Sequence, residues 1–267
     1  FNQISELMHN YGSMDILWLD GGWVRPRETV NEEVLSWGAP IPEWSQDIDM
    51  PKIADMARKA QPGLLMVDRT VHGLYENYQT PEQRVPATQL DYPWEICMTL
   101  GGAWGYVPGD QFKTPAKVIH TLIEVVAKGG SLLLGIGPRP DGTLPEDAVA
   151  RLKEVGRWMD KNGAAIYNTR TTTAYHEENT FFTRNKSGKL HFALVCLPEN
   201  EAAPKEVVWN KNLPRKGSTI TWLQTGEKVK WKREGDSIRV YLPSSVATAI
   251  SANPALAFSF EPALEIK

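Results

Sequence analysis

The hydrophobic pattern of this chain changes character once, near residue 168, and that change constrains the fold more than any other feature. Before it, short apolar runs at 16–19, 64–67, 94–100 and 131–136 alternate with segments of helical spacing. Such runs lack polar alternation, which predicts strands buried on both faces and a parallel α/β arrangement. Helices are predicted over 3–12, 51–60, 115–128 and 145–162. Ile4, Leu7, Met8 and Tyr11 form the apolar face of the first. Val118, Leu122, Val125 and Val126 form that of the third, and Leu152, Val155, Trp158 and Met159 that of the fourth. Asp49 and Thr114 stand at N-cap positions before prolines, and Gly12, Gly63, Gly129 and Gly163 are predicted stops. After residue 168, β-forming runs recur at 171–176, 180–184, 190–196, 205–209, 218–223, 237–242, 246–251 and 256–261, separated by turn residues. That spacing predicts an antiparallel β-sandwich. The expected organisation is an α/β domain over 1–168 followed by an all-β domain over 169–267.

The α/β part supplies only four buried runs, too few to close a parallel barrel. The chain opens on Phe1 inside an amphipathic helical pattern, with no strand and no targeting segment before it. The expectation is therefore the C-terminal portion of a barrel whose first strands lie elsewhere. A net charge of -3 gives no electrostatic footprint for nucleic acid, and no apolar run approaches the ~20 residues of a membrane span. Cys97 and Cys196 each sit in an apolar run and read as buried free thiols. His9, His72, His120, His176 and His191 show no metal-ligand spacing, and no nucleotide-binding loop or serine elbow is present. No metal and no cofactor is expected.

The chemistry is predicted at the C-terminal ends of the buried runs, where an α/β barrel keeps its active site. The first run ends in Asp20-Gly-Gly-Trp23, the second in Asp68-Arg69, and the loops beyond carry Glu76, Glu82, Trp104 and Tyr106. A capping role is the alternative for Asp20, and a loop salt bridge with Arg84 or Arg69 the alternative for Glu82. Two carboxylates flanked by Trp and Arg suit glycoside hydrolysis, one attacking the anomeric carbon and the other protonating the leaving oxygen. Tryptophan faces stack on sugar C–H groups, and the chain has ten tryptophans, although core packing accounts for most of them.

In order along the chain stand Trp18-Leu-Asp20-Gly-Gly-Trp23, Val67-Asp-Arg69, Tyr78-Gln-Thr-Pro-Glu82-Gln, Trp94-Glu-Ile-Cys-Met98, Gly102-Ala-Trp104-Gly-Tyr106 and Gly130-Ser-Leu-Leu-Leu-Gly-Ile-Gly137-Pro. Together these motifs resemble the retaining α-L-fucosidases of glycoside hydrolase family 29, over roughly residues 1–170. The resemblance implies a (β/α)8-like (TIM-type) barrel with a C-terminal β-sandwich and a fucosylated glycan or oligosaccharide as substrate. It implies Asp20 as nucleophile, with Trp18, Trp23, Arg69, Trp104 and Tyr106 about the fucose. Glu82 is the first choice for acid/base and Glu76 the second; Gln79 holds a position where a glutamate would also suit that role. The family's early strands, which grip the fucose hydroxyls, have no counterpart here; a second polypeptide supplying the N-terminal barrel half, a piece removed by processing, and a part left out of this sequence are the alternatives. By resemblance the protein is expected to be secreted, periplasmic or lysosomal. A non-catalytic fucose- or glycan-binding protein, or a barrel glycosidase for another sugar, is the alternative reading.

Overall fold

The computed structural model describes residues 1–22, 24–36, 41–44, 46–69, 73–199, 204–243 and 253–263. The chain divides into two units, one of residues 1–81 with 91–95 and the other of 82–90 with 96–267.

In the first unit, helix α1 (Asn2–Asn10) leads into strand β1 (Ile16–Leu19); a short helix α2 (Glu32–Ser36), helix α3 (Met50–Ala60) and strand β2 (Leu65–Asp68) follow. β1 and β2 pair in parallel, from Ile16 opposite Leu65 to Leu19 opposite Asp68. Met8, Leu17, Ile53, Ala54, Ala57 and Met66 bury the two helices against this pair. The Gln61 carboxamide joins the elements, donating to the carbonyls of Met8 at 2.7 Å and Gly12 at 3.0 Å and accepting from the Met14 N–H at 3.3 Å. It thereby satisfies a carbonyl at the end of α1 that the helix itself leaves unpaired.

Several expectations need correction here. Of the face predicted for α1, Met8 is buried, but Leu7 and Tyr11 are exposed. Asp49 stands at the N-cap of α3 as expected, but in a left-handed conformation (φ 55) and with no side-chain cap bond; its N–H donates to Asp47 Oδ1 at 2.8 Å. Nor are the strands buried on both faces throughout: paired Ile16 and Leu65, at the start of the two strands, are 47% and 43% exposed, whereas Val67 further along the same face is buried.

In the second unit, which holds β3 (Glu95–Thr99) from Ile96 on, β3 pairs with β4 (Ser131–Gly135), and helices α4 (Pro115–Ala127) and α5 (Glu146–Asn162) flank the β4 segment in sequence. Among the described residues these strands pair two by two, β1 with β2 and β3 with β4. Asn77 occupies the edge of β2, its Oδ1 accepting from the Met66 N–H at 2.9 Å and its own N–H donating to the Met66 carbonyl at 2.8 Å. On β3, the Cys97 carbonyl accepts from the Gln83 N–H at 2.9 Å.

α4 begins as its sequence predicts, Thr114 Oγ1 accepting from the Lys117 N–H at 3.1 Å. It ends in a Schellman turn, with Gly130 N–H on the Val125 carbonyl and Gly129 N–H on that of Val126. The φ of +88 at Gly129 is what requires a glycine there. Gly163 differs: its φ is -58, the chain runs on into a 3₁₀ turn, and its missing Cβ makes room for the Tyr167 ring 3.0 Å away.

Beyond Asn168 follow β5 (Thr169–Glu177), β6 (Thr180–Asn185), β7 (His191–Cys196), β8 (Glu206–Trp209), β9 (Ile220–Trp222), β10 (Glu227–Glu234), β11 (Ser237–Tyr241) and β12 (Ala255–Phe260). They form one eight-stranded antiparallel sheet in the order β5-β6-β7-β12-β9-β10-β11-β8. The sheet curls over itself through β10, whose residues 227–229 pair with β9 and whose residues 230–234 pair with β11. Trp209 of β8 accordingly lies 6.0–6.4 Å, ring to ring, from Phe182 on β6 and Phe258 and Phe260 on β12. Alternate residues of β7 serve two cores. Ala193 and Val195 face this closed interior, while Phe192, Leu194 and Cys196 face Ile119 and Ile123 of α4 and Trp158 of α5. Both cysteines are free and buried, and burial pushes the Cys196 thiol up to about 12. The predicted run 246–251 lies outside the described residues.

Candidate active site

Because β1 and β2 are neighbours running in one direction, the residues that follow them emerge at the same end. The Arg69 N–H donates to the Leu19 carbonyl at 3.1 Å and ties the two exits together. Arg69 Nη1 then stands 3.2 Å from Asp20 Oδ1, and its guanidinium carbon lies 5.0 Å from the centroid of the Trp18 ring. The Gly21 N–H also donates to Asp20 Oδ1, at 2.9 Å. The arginine side chain is mostly covered (19% exposed) and the aspartate is open (54%). An exposed pair of this kind adds little stability; its consequence is orientation, since both donors engage the same carboxylate oxygen. The indole N–H of Trp18 is buried with no hydrogen-bond partner among the described residues.

Glu76, in the same unit, accepts from Gln79 Nε2 at 3.0 Å. Gln79 is thus a donor to the second-choice acid, and its backbone bridges to Trp94. Trp23 lies outside the described residues.

Glu82 falls in the second unit, where its backbone forms an isolated parallel bridge with Cys97 of β3. Its Oε1 accepts from the Trp104 indole N–H at 3.0 Å. Two glycines of the β4 segment determine where Trp104 can be. A Cβ on Gly135 would lie 2.6 Å from the Trp104 ring, and one on Gly137 would lie 2.3 Å from the backbone of Gly105 and Tyr106. The Tyr106 hydroxyl interacts with Arg139, which also forms a two-point pair with Glu146. That pairing holds the Glu146 carboxyl below the usual carboxylate range.

Three polar residues that sequence reasoning passed over secure the segment carrying Glu82. Gln83 is left-handed (φ 57); its side-chain Oε1 accepts from the Thr99 N–H and its Nε2 donates to Thr99 Oγ1, both at 3.3 Å. Lys128 Nζ donates to the Pro86 carbonyl at 2.6 Å, and Gln89 Nε2 to the carbonyls of Ala127 and Thr172 at 3.1 and 3.2 Å. No periodicity marks such residues; the only sequence signal was a run of polar side chains beside a candidate acid. Among the described residues no cluster of three or more His, Cys, Asp or Glu could hold a metal ion.

Chemically, the first unit presents an accessible carboxylate oriented through one oxygen by a guanidinium and a backbone N–H. The second presents a carboxyl group held by an indole, which can only donate.

Comparison with known proteins joins these features to a family. Residues 1–164 match the family model described as Alpha-L-fucosidase. Tissue alpha-L-fucosidase of Homo sapiens is 26% identical over 270 residues, covering 94% of this chain and 52% of that protein. Plasma alpha-L-fucosidase of Rattus norvegicus is 35% identical over 131 residues, 46% of this chain and 28% of that protein. Among solved structures, Alpha-L-fucosidase isoenzyme 1 from Paenibacillus thiaminolyticus superposes with a TM-score of 0.78 at 24% identity, covering 98% of this chain and 61% of that one. The Thermotoga maritima alpha-fucosidase in complex with fucose gives a TM-score of 0.65 at 25% identity, covering 81% and 50%. The chain spans about half the length of the curated tissue fucosidases it matches. With the family model matched from residue 1 to residue 164, the chain belongs to the alpha-L-fucosidase family.

Proposed function

We infer that this chain carries the nucleophile and the acid/base of a retaining α-L-fucosidase that removes terminal α-L-fucose from glycans or oligosaccharides. The observation that carries the reading is Asp20, open at the end of β1 with Arg69 on its Oδ1 and Trp18 beneath the guanidinium. With Oδ1 engaged by two donors, Oδ2 is the oxygen assigned to attack C1 of the fucoside. Glu82 gives its proton to the departing glycosidic oxygen. It then takes one from the water that releases fucose, so the two inversions leave net retention. Glu76 is the second choice for that role. Trp18, Trp23, Arg69, Trp104 and Tyr106 are assigned to the sugar and its surroundings.

The rest of a (β/α)8-like barrel is assigned to polypeptide outside these 267 residues, including, as one source, a second chain. Coverage of about half of the tissue fucosidases and the open apolar positions Ile16, Leu65 and Leu133 on β1, β2 and β4 support this. The domain division is placed at 168/169, where the last helical segment gives way to β5, and the sandwich is assigned to bracing, since Trp158 and Ile123 pack directly on it.

The test uses the active protein containing this sequence. Asp20→Ala should lower turnover of an aryl α-L-fucoside by about 10³-fold or more. Added azide should restore part of it by attacking C1 itself, giving a fucosyl azide. Loss of activity without azide rescue would remove Asp20 from the nucleophile's role. An unaltered protein that binds fucose but releases no aryl alcohol would establish the glycan-binding alternative.

A further inference from the structure

A glutamate in water samples many rotamers, yet a general acid works only when its carboxyl group meets the leaving oxygen in one geometry. Glu82 is exposed, so burial cannot hold it. Two other devices are present. The backbone is held on one side: the Glu82–Cys97 bridge aligns it with β3, and Gln83 closes a ring of two side-chain bonds on the buried Thr99. That ring keeps Gln83 in a left-handed conformation that a residue with a side chain rarely adopts. The carboxylate is held on the other side, by the Trp104 N–H at 3.0 Å. Trp104 has its own seat, the bare face of Gly135.

We propose that Trp104 and Gln83 are positioning residues for the acid/base, and that the working part of Trp104 is its indole N–H rather than its ring face. This rests on the reading of Glu82 as the acid/base. A chemical consequence follows from the donor-only nature of the indole. The oxygen facing it, Oε1, is the acceptor and carries no proton while that bond stands. In the first step the carboxyl O–H bond breaks as the leaving oxygen gains the proton; in the second, the carboxylate takes a proton from the attacking water. Trp104 gains and loses nothing.

The readout is leaving-group dependence, measured as kcat/KM in the active protein containing this sequence. An aryl α-L-fucoside with a strongly activated leaving group needs little proton donation, whereas an alkyl or glycosyl α-L-fucoside needs it fully. Trp104→Phe keeps a ring on Gly135 and deletes the N–H. Beyond any loss of sugar contact that both substrates share, it should cost about tenfold more on the unactivated substrate than on the activated one. Gln83→Gly keeps the left-handed backbone available while deleting the amide ring, and should show the same split. In a Glu82→Ala background the Trp104→Phe loss should vanish, because the group it positions is gone. Equal losses on both substrates, or a loss that persists without Glu82, would overturn the positioning role and leave Trp104 as an aromatic wall. Glu82→Ala alone tests the parent reading: if it lacks the split, Glu82 is not the acid. If it has the split and the other two variants do not, only the present inference fails.

Discussion

Gly135→Ala tests how the site is built from packing. The added Cβ would lie 2.6–2.7 Å from two ring carbons of Trp104 and 3.6 Å from the Met98 carbonyl oxygen. Carbon atoms touch at ~3.5 Å, so the ring must retreat by roughly 1 Å, while the backbone contact can stay. Trp104 is 44% exposed and has room to move outward. The stability cost should therefore sit at the low end of overpacking, about 1 kcal/mol. The same retreat stretches the 3.0 Å bond to Glu82 beyond hydrogen-bond range. Activity on unactivated fucosides should fall about tenfold or more while that on activated aryl fucosides changes little. Gly137→Ala is the control: its Cβ would lie 2.3 Å from the Gly105 carbonyl carbon and the Tyr106 nitrogen, which are main-chain atoms. Backbone cannot step aside without moving the loop, so the cost should exceed about 3 kcal/mol. Urea unfolding gives the two stabilities and the substrate pair gives the activities. A Gly135→Ala protein less stable than Gly137→Ala, or one with unchanged leaving-group dependence, would refute the reasoning.

Two further outcomes follow from the packing and the charges. Trp158 is buried between α5 and the sheet and donates its indole N–H to the Ala255 carbonyl at 2.8 Å. Trp158→Phe strands that carbonyl and leaves a void, so the urea midpoint should fall by an amount worth about 2–4 kcal/mol, with the slope unchanged. Glu95 is raised above the usual carboxylate range by desolvation. A carboxyl whose folded value lies above its unfolded one weighs against folding while ionised, and that burden lifts as pH falls through the folded value. Glu95→Gln should therefore raise the melting temperature at pH 7, and the gain should shrink on acidification toward pH 4; a gain that grows in acid would reverse the assignment.

Sequence alone determined the elements whose causes are local. The helix 115–128 was legible because Thr114, Pro115 and Gly129–Gly130 signal its ends through backbone hydrogen bonds within a few residues. β1 was legible as an uninterrupted apolar run, and Asp20 as the charge at its end. Family membership was legible because ordered motifs persist even where overall identity is about 26%. Strand β10 was not legible: Lys228, Lys230 and Lys232 alternate along it, a charged pattern with only Val229 fully buried. What makes it a strand is pairing on both edges, with β9 at one end and β11 at the other.

Tertiary structure decided what depends on atoms distant in sequence. Ile119 and Ile123 join the predicted Leu122 and Val126 on the sheet-facing side of α4 while Val118 packs in another cluster, a division that one helix read alone did not reveal because it is buried from two directions. Asp20 and Arg69 meet because parallel pairing brings two strand exits together across the intervening chain. Glu82 and Trp104 meet because Gly135 and Gly137 let a loop lie against the end of β4. The sequence offered the candidate carboxylates, and the close approach of backbone and ring decided that Glu82 sits against an indole N–H. The reason is physical: strand and helix signals are short-range, whereas the contacts that orient a carboxylate are set by elements that become neighbours only on folding.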